Sequence, residues 1–252
     1  MSISVIIPTY NRPEELLRCL QSVFCQILQP NEIYVIDNSL GNTNKEILQK
    51  HEFDKKIIFL KMRGSVDQLR NKISSIVKSN YIAFLDDDDV WHEEYLKKNY
   101  EIIKKKNLDI IYSSMNIVDE KRNILSELIL NKDIDIQDLL LFNNGFFLSN
   151  MIVKKSTFIN LGGLHTKSGS SDRDILIRII KKKYNYYFNS QILLNRQVNE
   201  NNWSQDDFKM LKMNILFFFN YFNLMNLNTK FKYFKKIIKI FLSSIGYKKF
   251  NR

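Results

Sequence analysis

The chain is short of the residues that break structure or staple it. Seven glycines and three prolines in 252 residues leave little room for long flexible linkers. The two cysteines, Cys19 and Cys25, fall six apart in one expected helix and on different faces. No disulfide is therefore expected between them, and a reducing, cytoplasmic setting is inferred. No His/Cys cluster has zinc spacing, no GxxxxGK phosphate loop appears, and there is no internal repeat. No run of about 20 apolar residues occurs, so a processive multi-pass membrane synthase is not expected. The opening MSISVIIPTYNRPEE lacks a basic n-region, and its apolar stretch is too short for a secretory signal. Acid is missing only locally. From Lys209 to Arg252 nine lysines and one arginine stand without an Asp or Glu, so that segment carries +10 of the formal +11, leaving +1 for residues 1–208.

What is present reads as an ordinary globular chain, 44% hydrophobic and 26% charged, long enough for one large domain or two small ones. Apolar runs alternate with helical patterns through the first hundred residues. ISVIIP (3–8) reads as a buried strand, EIYVIDNS (32–39) as a second strand ending in polar residues, and KIIFLK (56–61) as a third. A helix is expected from Pro13, with Leu16, Leu20, Val23, Phe24 and Ile27 facing inward. A second helix over 65–79 would bury Val66, Leu69, Ile73, Ile76 and Val77. Further on, helices are expected over 93–105, 136–142 and 170–183, and strands over 109–118, 146–155 and about 184–197. This alternation predicts an α/β fold with a mostly parallel sheet covered by helices.

The stretch YIAFLDDDDVW (81–91) raises a physical question, because four carboxylates close a strand that looks buried on both faces. Two such charges about 4 Å apart repel by roughly 4 kcal/mol at an effective dielectric near 20. A solvated acidic turn is one answer. A divalent cation held at the carboxyl end of the strand is another, since open α/β sheets bind ligands there and Mg²⁺ or Mn²⁺ takes oxygen ligands. Thr9 to Arg12, Asp37 to Ser39 and Asp86 to Asp89 all follow expected strands, so three loops converge on one rim.

Five stretches together resemble glycosyltransferase family 2, with the GT-A fold: VIIPTYNRP (5–13), IYVIDNS (33–39), LRNKISSIVKSNYIAFLDDDDVWHEEYL (69–96), NMIVKKSTFINLGGLH (150–165) and SSDRDILIR (170–178). The resemblance implies a nucleotide-sugar donor, here expected to be UDP-linked, a Mn²⁺ or Mg²⁺ ion, and inversion at the anomeric carbon. It places Pro8, Thr9, Asn11 and Arg12 in the nucleotide-binding loop, Asp37 at the uracil or ribose, and Arg70 near the base or phosphates. Asp86 and Asp88 match the outer members of the family's Asp-x-Asp motif. Asp88 is the expected metal ligand with Asp86 beside it, and Asp87 the expected ribose or metal-shell contact. Asp89 either orients the sugar or caps the next helix. Asp172 matches the general base, with Asp174 as the fallback, although Ser171 stands where the family more often has Glu. Plainer readings exist for several of these: Asn11 as a turn residue, Asp37 as a strand end, Asp172 as a first-turn helix acid. Trp91 and His92 are candidates for the acceptor cleft, Trp91 equally for the core, and His165 for the surface.

The expected organisation is a GT-A domain over 1–205, with a nucleotide-binding half (1–90) and an acceptor half (91–205), followed by a basic helical tail over 206–252. In the tail Phe231, Phe234, Ile238, Phe241 and Ile245 repeat at three and four, with Lys232, Lys235, Lys236 and Lys239 largely opposite. That pattern suits peripheral contact with an anionic membrane through residues 230–249. Alternatively, the helix packs its aromatics on the domain. A nucleic-acid partner is not expected, because the body is nearly neutral and carries no such module. The acceptor class implied is a glycan or lipid-linked glycan of the cell surface, at the inner membrane face. The alternatives are a catalytically inactive, membrane-binding relative and a sugar-nucleotide pyrophosphorylase. The latter would need a Gly- and Arg-rich first loop, which PTYNRPEE does not provide.

Overall fold

The structure is a computed structural model and describes residues 2–53, 56–130, 134–198 and 207–244. The chain opens with β1 (Ile3–Thr9), buried along its whole length. The fixed φ of Pro13 starts α1 (Pro13–Phe24), and Glu14 and Glu15 sit at its positive end. Then come β2 (Glu32–Asp37), the polar helix α2 (Thr43–Lys50) and β3 (Ile58–Lys61). Ser65 and Gln68 form a capping box that starts α3 (Val66–Ile76), which leads to β4 (Tyr81–Phe84). The second half runs β5 (Val90–Trp91), α4 (Tyr95–Lys106), β6 (Ile110–Val118), β7 (Ile124–Leu128), α5 (Ile136–Leu141), β8 (Met151–Lys154), α6 (Lys155–Asn160), α7 (Ser171–Lys181) and β9 (Tyr186–Gln197). It ends in α8 (Asp207–Tyr221) and α9 (Leu227–Ser244).

Among the described residues the strands form one sheet in the order β3-β2-β1-β4-β8-β6-β9-β5, with β7 on β6. The first four strands are parallel, as the βαβ pattern requires. From β8 onward the sheet is mixed. Only a short turn joins β6 to β7, and such a turn can join only antiparallel neighbours. The chain leaves β1 toward β2 and β3, then returns to the other side of β1 as β4. That reversal opens a crevice at the carboxyl ends of β1 and β4.

Strand alternation divides the core. Ile6, Ile36, Ile82 and Phe84 face α3 and α7, while Val5, Ile7, Val35 and Ala83 face Leu16, Leu20 and Val23 of α1 and Leu96 of α4. Several expectations need correction. Ile27 lies past the end of α1 and is exposed. Val66 and Ile76, at the two ends of α3, are also exposed, and only Leu69, Ile73 and Val77 reach the core. The strand expected over 146–155 begins only at Met151, because Leu148–Asn150 form a tight 3-10 turn. Within it the Asn150 amide donates to the carbonyls of Ser113 and Gly145.

The α8–α9 pair packs on the body through Phe217, Tyr221 and Tyr233, which join the core face shared with α3 and α7. Gly169 permits this approach. Its φ is +82°, and a Cβ there would stand 2.2 Å from the Met213 carbonyl oxygen of α8. Docking by Tyr233 turns the expected apolar stripe of α9 outward, so that Phe231, Phe234, Ile238 and Phe241 are exposed. Ile245 and the rest of 245–249 lie outside the described residues. Among the described residues no helix is long and apolar enough to cross a membrane.

Candidate active site

The crevice is built by the loops that leave β1 and β4. Thr9 ends β1 opposite Asp37 of β2, so two of the three rim segments are in register. The acidic run follows β4 and folds into a tight turn closed by the Asp89 N–H on the Asp86 carbonyl at 3.1 Å: Asp87 and Asp89 are buried, while Asp86 and Asp88 are half-exposed. The peptide is fixed from behind. Ser149 Oγ accepts the Asp86 N–H at 3.0 Å, the Cys19 thiol donates to the Asp86 carbonyl at 3.5 Å, and Asp89 accepts the Gln197 N–H at 3.0 Å.

Each acid facing the crevice has an arginine partner. Arg70, buried in α3, pairs with Asp86 and is steadied by Asp67 at 3.6 Å. Arg12 reaches Asp88 at 2.9 Å and Asp87 at 3.3 Å. Thr9 Oγ1 donates to Asp87 at 2.7 Å. These partners do not balance the charge. Burial, then the Asp88 charge, push the Asp87 carboxyl up to about 7 against the pull of Arg12. Asp88 is raised by burial and by Asp86, and Asp89 is raised well above the usual range by burial and then by Asp88. Carboxylate oxygens of Asp86, Asp88 and Asp89 come within 4.8 Å of one another. An all-carboxylate donor set in electrostatic deficit fits a hard divalent cation such as Mn²⁺ or Mg²⁺. Asp89 is already committed to the Gln197 amide, which leaves Asp86 and Asp88 as the pair open to the crevice.

The crevice has a volume of about 530 Å³ and is lined by Pro8, Thr9, Tyr10, Arg12, Asn38, Arg70 and Asp86 to Asp88, among others. Asn11 is not part of the lining. It adopts a left-handed φ of 52°, which Asn tolerates, and turns the chain into α1. Asp37 is also off the lining and fully shielded. Burial alone would raise its carboxyl, but donors from Ser39, Lys61 at 2.9 Å and Asn44 at 3.1 Å outweigh it and hold the group below the ordinary value.

α7 carries Asp172 in its first turn, half-buried and off the crevice lining, but within reach of the Asp86 and Arg70 charges. Its carboxylate makes no hydrogen bond or ion pair among the described residues. Burial, then the Asp86 charge, raise it to about 7, with Arg70 pulling the other way. Asp174, by contrast, is fully engaged: it accepts from Arg178 Nε at 2.8 Å and from the Tyr221 hydroxyl, and His165 lies 3.5 Å away. Trp91 belongs to the core, stacked on Tyr95 at 4.3 Å with its indole N–H donated to the Ser149 carbonyl. His92 opens on a separate depression with Glu93 and Asn195. A second cleft, of about 470 Å³, adjoins the crevice at Val66. It is lined by Ser65, Asp67, His165, Ser170 and Ser171, with Met213 and Leu216 of α8 as its far wall.

Residues that pattern alone did not single out complete the site. Asn44 bridges Asp37 to Thr9, so a hydrogen-bonded chain runs from Asp37 through Asn44, Thr9 and Asp87 to Arg12. Lys61, Ser149 and Gln197 serve the same rim from other strands and turns.

The fold defines the class first. The chain superposes on S. aureus TarS in complex with UDP-GlcNAc with a TM-score of 0.66, over 96% of this chain and 73% of that one at 16% identity, which is the GT-A glycosyltransferase fold. The family model described as "Glycosyl transferase family 2" matches residues 4–163, and the chain belongs to that family of transferases. Asp172 lies beyond the matched span. Among curated relatives the chain is 29% identical over 204 residues to an uncharacterized glycosyltransferase of Methanocaldococcus jannaschii, covering 78% of this chain and 70% of that one. It is 27% identical over 195 residues to the Staphylococcus aureus poly(ribitol-phosphate) beta-N-acetylglucosaminyltransferase TarP, covering 73% of this chain and 59% of that one.

Proposed function

We propose that the protein transfers a hexose from a UDP-linked sugar to a glycan acceptor of the cell surface, with inversion at the anomeric carbon. The observation that carries this reading is the half-buried carboxylate of Asp172, without a hydrogen-bond partner among the described residues and close enough to feel the charges of Asp86 and Arg70, beside a cleft that gathers Thr9, Arg12, Arg70, Asp86 and Asp88. The donor occupies the 530 Å³ crevice, where Pro8 and Thr9 approach the nucleoside and Arg12 and Arg70 face its diphosphate. Asp37 acts on the nucleoside indirectly, through Asn44 and Thr9. Asp86 and Asp88 would hold a Mn²⁺ or Mg²⁺ ion, which when bound supplies Lewis-acid stabilisation of the charge growing on the leaving diphosphate.

The acceptor enters by the second cleft, past Ser170 and Ser171. Asp172 takes the proton of the acceptor hydroxyl as its oxygen bonds to the anomeric carbon and the bond to the diphosphate breaks. Asp174 is poorly suited to that task, because Arg178 and Tyr221 already use its oxygens.

The TarP and TarS likenesses support a surface-glycan acceptor and a UDP-sugar donor. The outward face of α9, with Phe231, Phe234 and Lys232, supports a peripheral position on an anionic membrane at its cytoplasmic side, where a lipid-linked acceptor would meet the second cleft. The test is donor hydrolysis across a panel of UDP-sugars with Mn²⁺. Slow release of UDP by the wild type, lost at least a thousandfold in Asp88→Ala with the fold intact, is expected. Equal rates in both would overturn the reading.

A further inference from the structure

The two arginines of the rim are held differently. Arg70 is 8% exposed, sits in the middle of α3 and has Asp67 as a second anchor. Arg12 is 41% exposed, although its partners Asp87 and Asp88 are only 8% and 15% exposed. It occupies the N-cap position of α1 without a side-chain capping bond, directly after the left-handed turn at Asn11. Its guanidinium therefore lies on the solvent side of the acids, tethered to a turn, and its ion-pair partners among the described residues are the two carboxylates beneath it.

We propose that Arg12 is a displaceable internal counter-ion for the acidic turn. With the crevice empty, Nη1 neutralises Asp88 and ties it to Asp87. When a nucleoside diphosphate enters, its phosphate oxygens offer the same guanidinium a charge-assisted, bidentate partner. Arg12 then leaves Asp88, and that carboxylate becomes available to the divalent ion. Arg12 thus antagonises cation binding to the free protein and relents when donor is present. The coupling is reciprocal, as linkage requires: whatever factor UDP adds to cation affinity, the cation adds to UDP affinity. Arg70 cannot act this way, because it is buried and fixed by Asp67. The inference rests on the metal-bound reading of the site.

The test measures Mn²⁺ binding by the free aqueous Mn²⁺ signal in electron paramagnetic resonance, with and without UDP, on the full chain. Without UDP, Arg12→Gln is expected to bind Mn²⁺ at least fivefold more tightly than the wild type. The factor by which UDP tightens Mn²⁺ binding should be smaller in the variant. Equal or weaker Mn²⁺ binding by Arg12→Gln alone overturns the proposal and makes Arg12 a support for the ligand instead. Absence of Mn²⁺ binding in every protein, with or without UDP, removes the metal reading and the proposal together. If Arg12→Gln does not fold, Arg12→Lys decides the matter. The lysine side chain is shorter, so its ammonium stops short of the place where Nη1 bridges the two carboxylates; Mn²⁺ affinity without UDP must therefore rise, and no rise overturns the proposal.

Discussion

The acidic rim and the α8–α9 hairpin both concentrate charge of one sign, but they differ in burial. The four aspartates of the rim crowd into one tight turn at the crevice, where partial burial makes repulsion strong and pushes Asp87, Asp88 and Asp89 upward in pKa. The lysines of α9 stand in water, separated by turns of helix, beside exposed phenylalanines. The exception makes the point. Lys236 turns inward to donate to the Leu141 carbonyl at 2.8 Å, and burial pulls its ammonium down to about 8. Buried like charge is a deficit that a ligand of opposite sign can fill. Exposed like charge costs little and acts at a distance, on an extended anionic surface.

The comparison would break most visibly at Asp172. Removing the charge in Asp172→Asn should leave UDP binding unchanged while cutting sugar transfer at least a hundredfold, the scale of a lost general base. Parallel UDP titration and transfer assays check both halves. Equal transfer by mutant and wild type would take Asp172 out of the reaction.

The next effect tests whether the hairpin belongs to the body. Arg173, next to Asp172, stacks on Phe217 of α8 with 3.9 Å between guanidinium carbon and ring centre, and Tyr221 bonds Asp174. The tail expected as a separate segment therefore braces the helix turn that carries the candidate base. Gly169→Ala would force α8 away from that turn, since its Cβ has no space and its φ is left-handed. A loss of about 2–4 kcal/mol is expected, read as a fall of roughly 5–10 °C in the melting temperature. An unchanged melt would mean that the hairpin is only loosely apposed.

How much of this the sequence disclosed depends on the range of each interaction. β1, β2 and β4 were legible because a strand buried on both faces is a continuous apolar run, and the polar residues that stop it are the rim. The helix start at Ser170 and the acids after it were legible for the same local reason. Asn44 was not, because α2 is polar and its amide works on residues 7 and 35 positions away. Gln197 meets Asp89 across 108 positions, through its backbone, which no side-chain pattern advertises. The demotion of Asp174 could have been read earlier, since Arg178 stands four residues on, in helical pairing distance. The outward stripe of α9 could not, because Tyr233 and Ile237 form a rival apolar stripe and only tertiary packing chooses between them.

That choice of stripe gives a smaller, surface effect. Phe231 is 59% exposed and Phe234 55%, so Phe231→Ser with Phe234→Ser should leave the melting temperature within about 2 °C. Binding to phosphatidylglycerol vesicles should fall at least tenfold, since each buried Phe is worth about 1.5–3 kcal/mol. Cosedimentation equal to wild type would assign the lysine-rich face to something other than a lipid surface.

The smallest effect separates stored strain from chemistry within the rim. Asp172 titrates near 7 in the folded chain, whereas an unfolded Asp titrates near 3.9. Between those values the native state keeps a proton that the unfolded chain releases, so folding is progressively disfavoured as pH rises and the penalty levels off above about 7. Asp172→Asn removes that titration. It should raise stability by about 1–2 kcal/mol at pH 8, after allowance for solvent screening, and by roughly a third as much at pH 5. Thermal melts at the two pH values check the order. A gain that is the same at both, or larger at pH 5, would mean that the Asp172 carboxylate is not held at a loss in the folded protein. The contrast between a strained acidic rim and a relaxed basic hairpin would then rest on Asp87 to Asp89 alone.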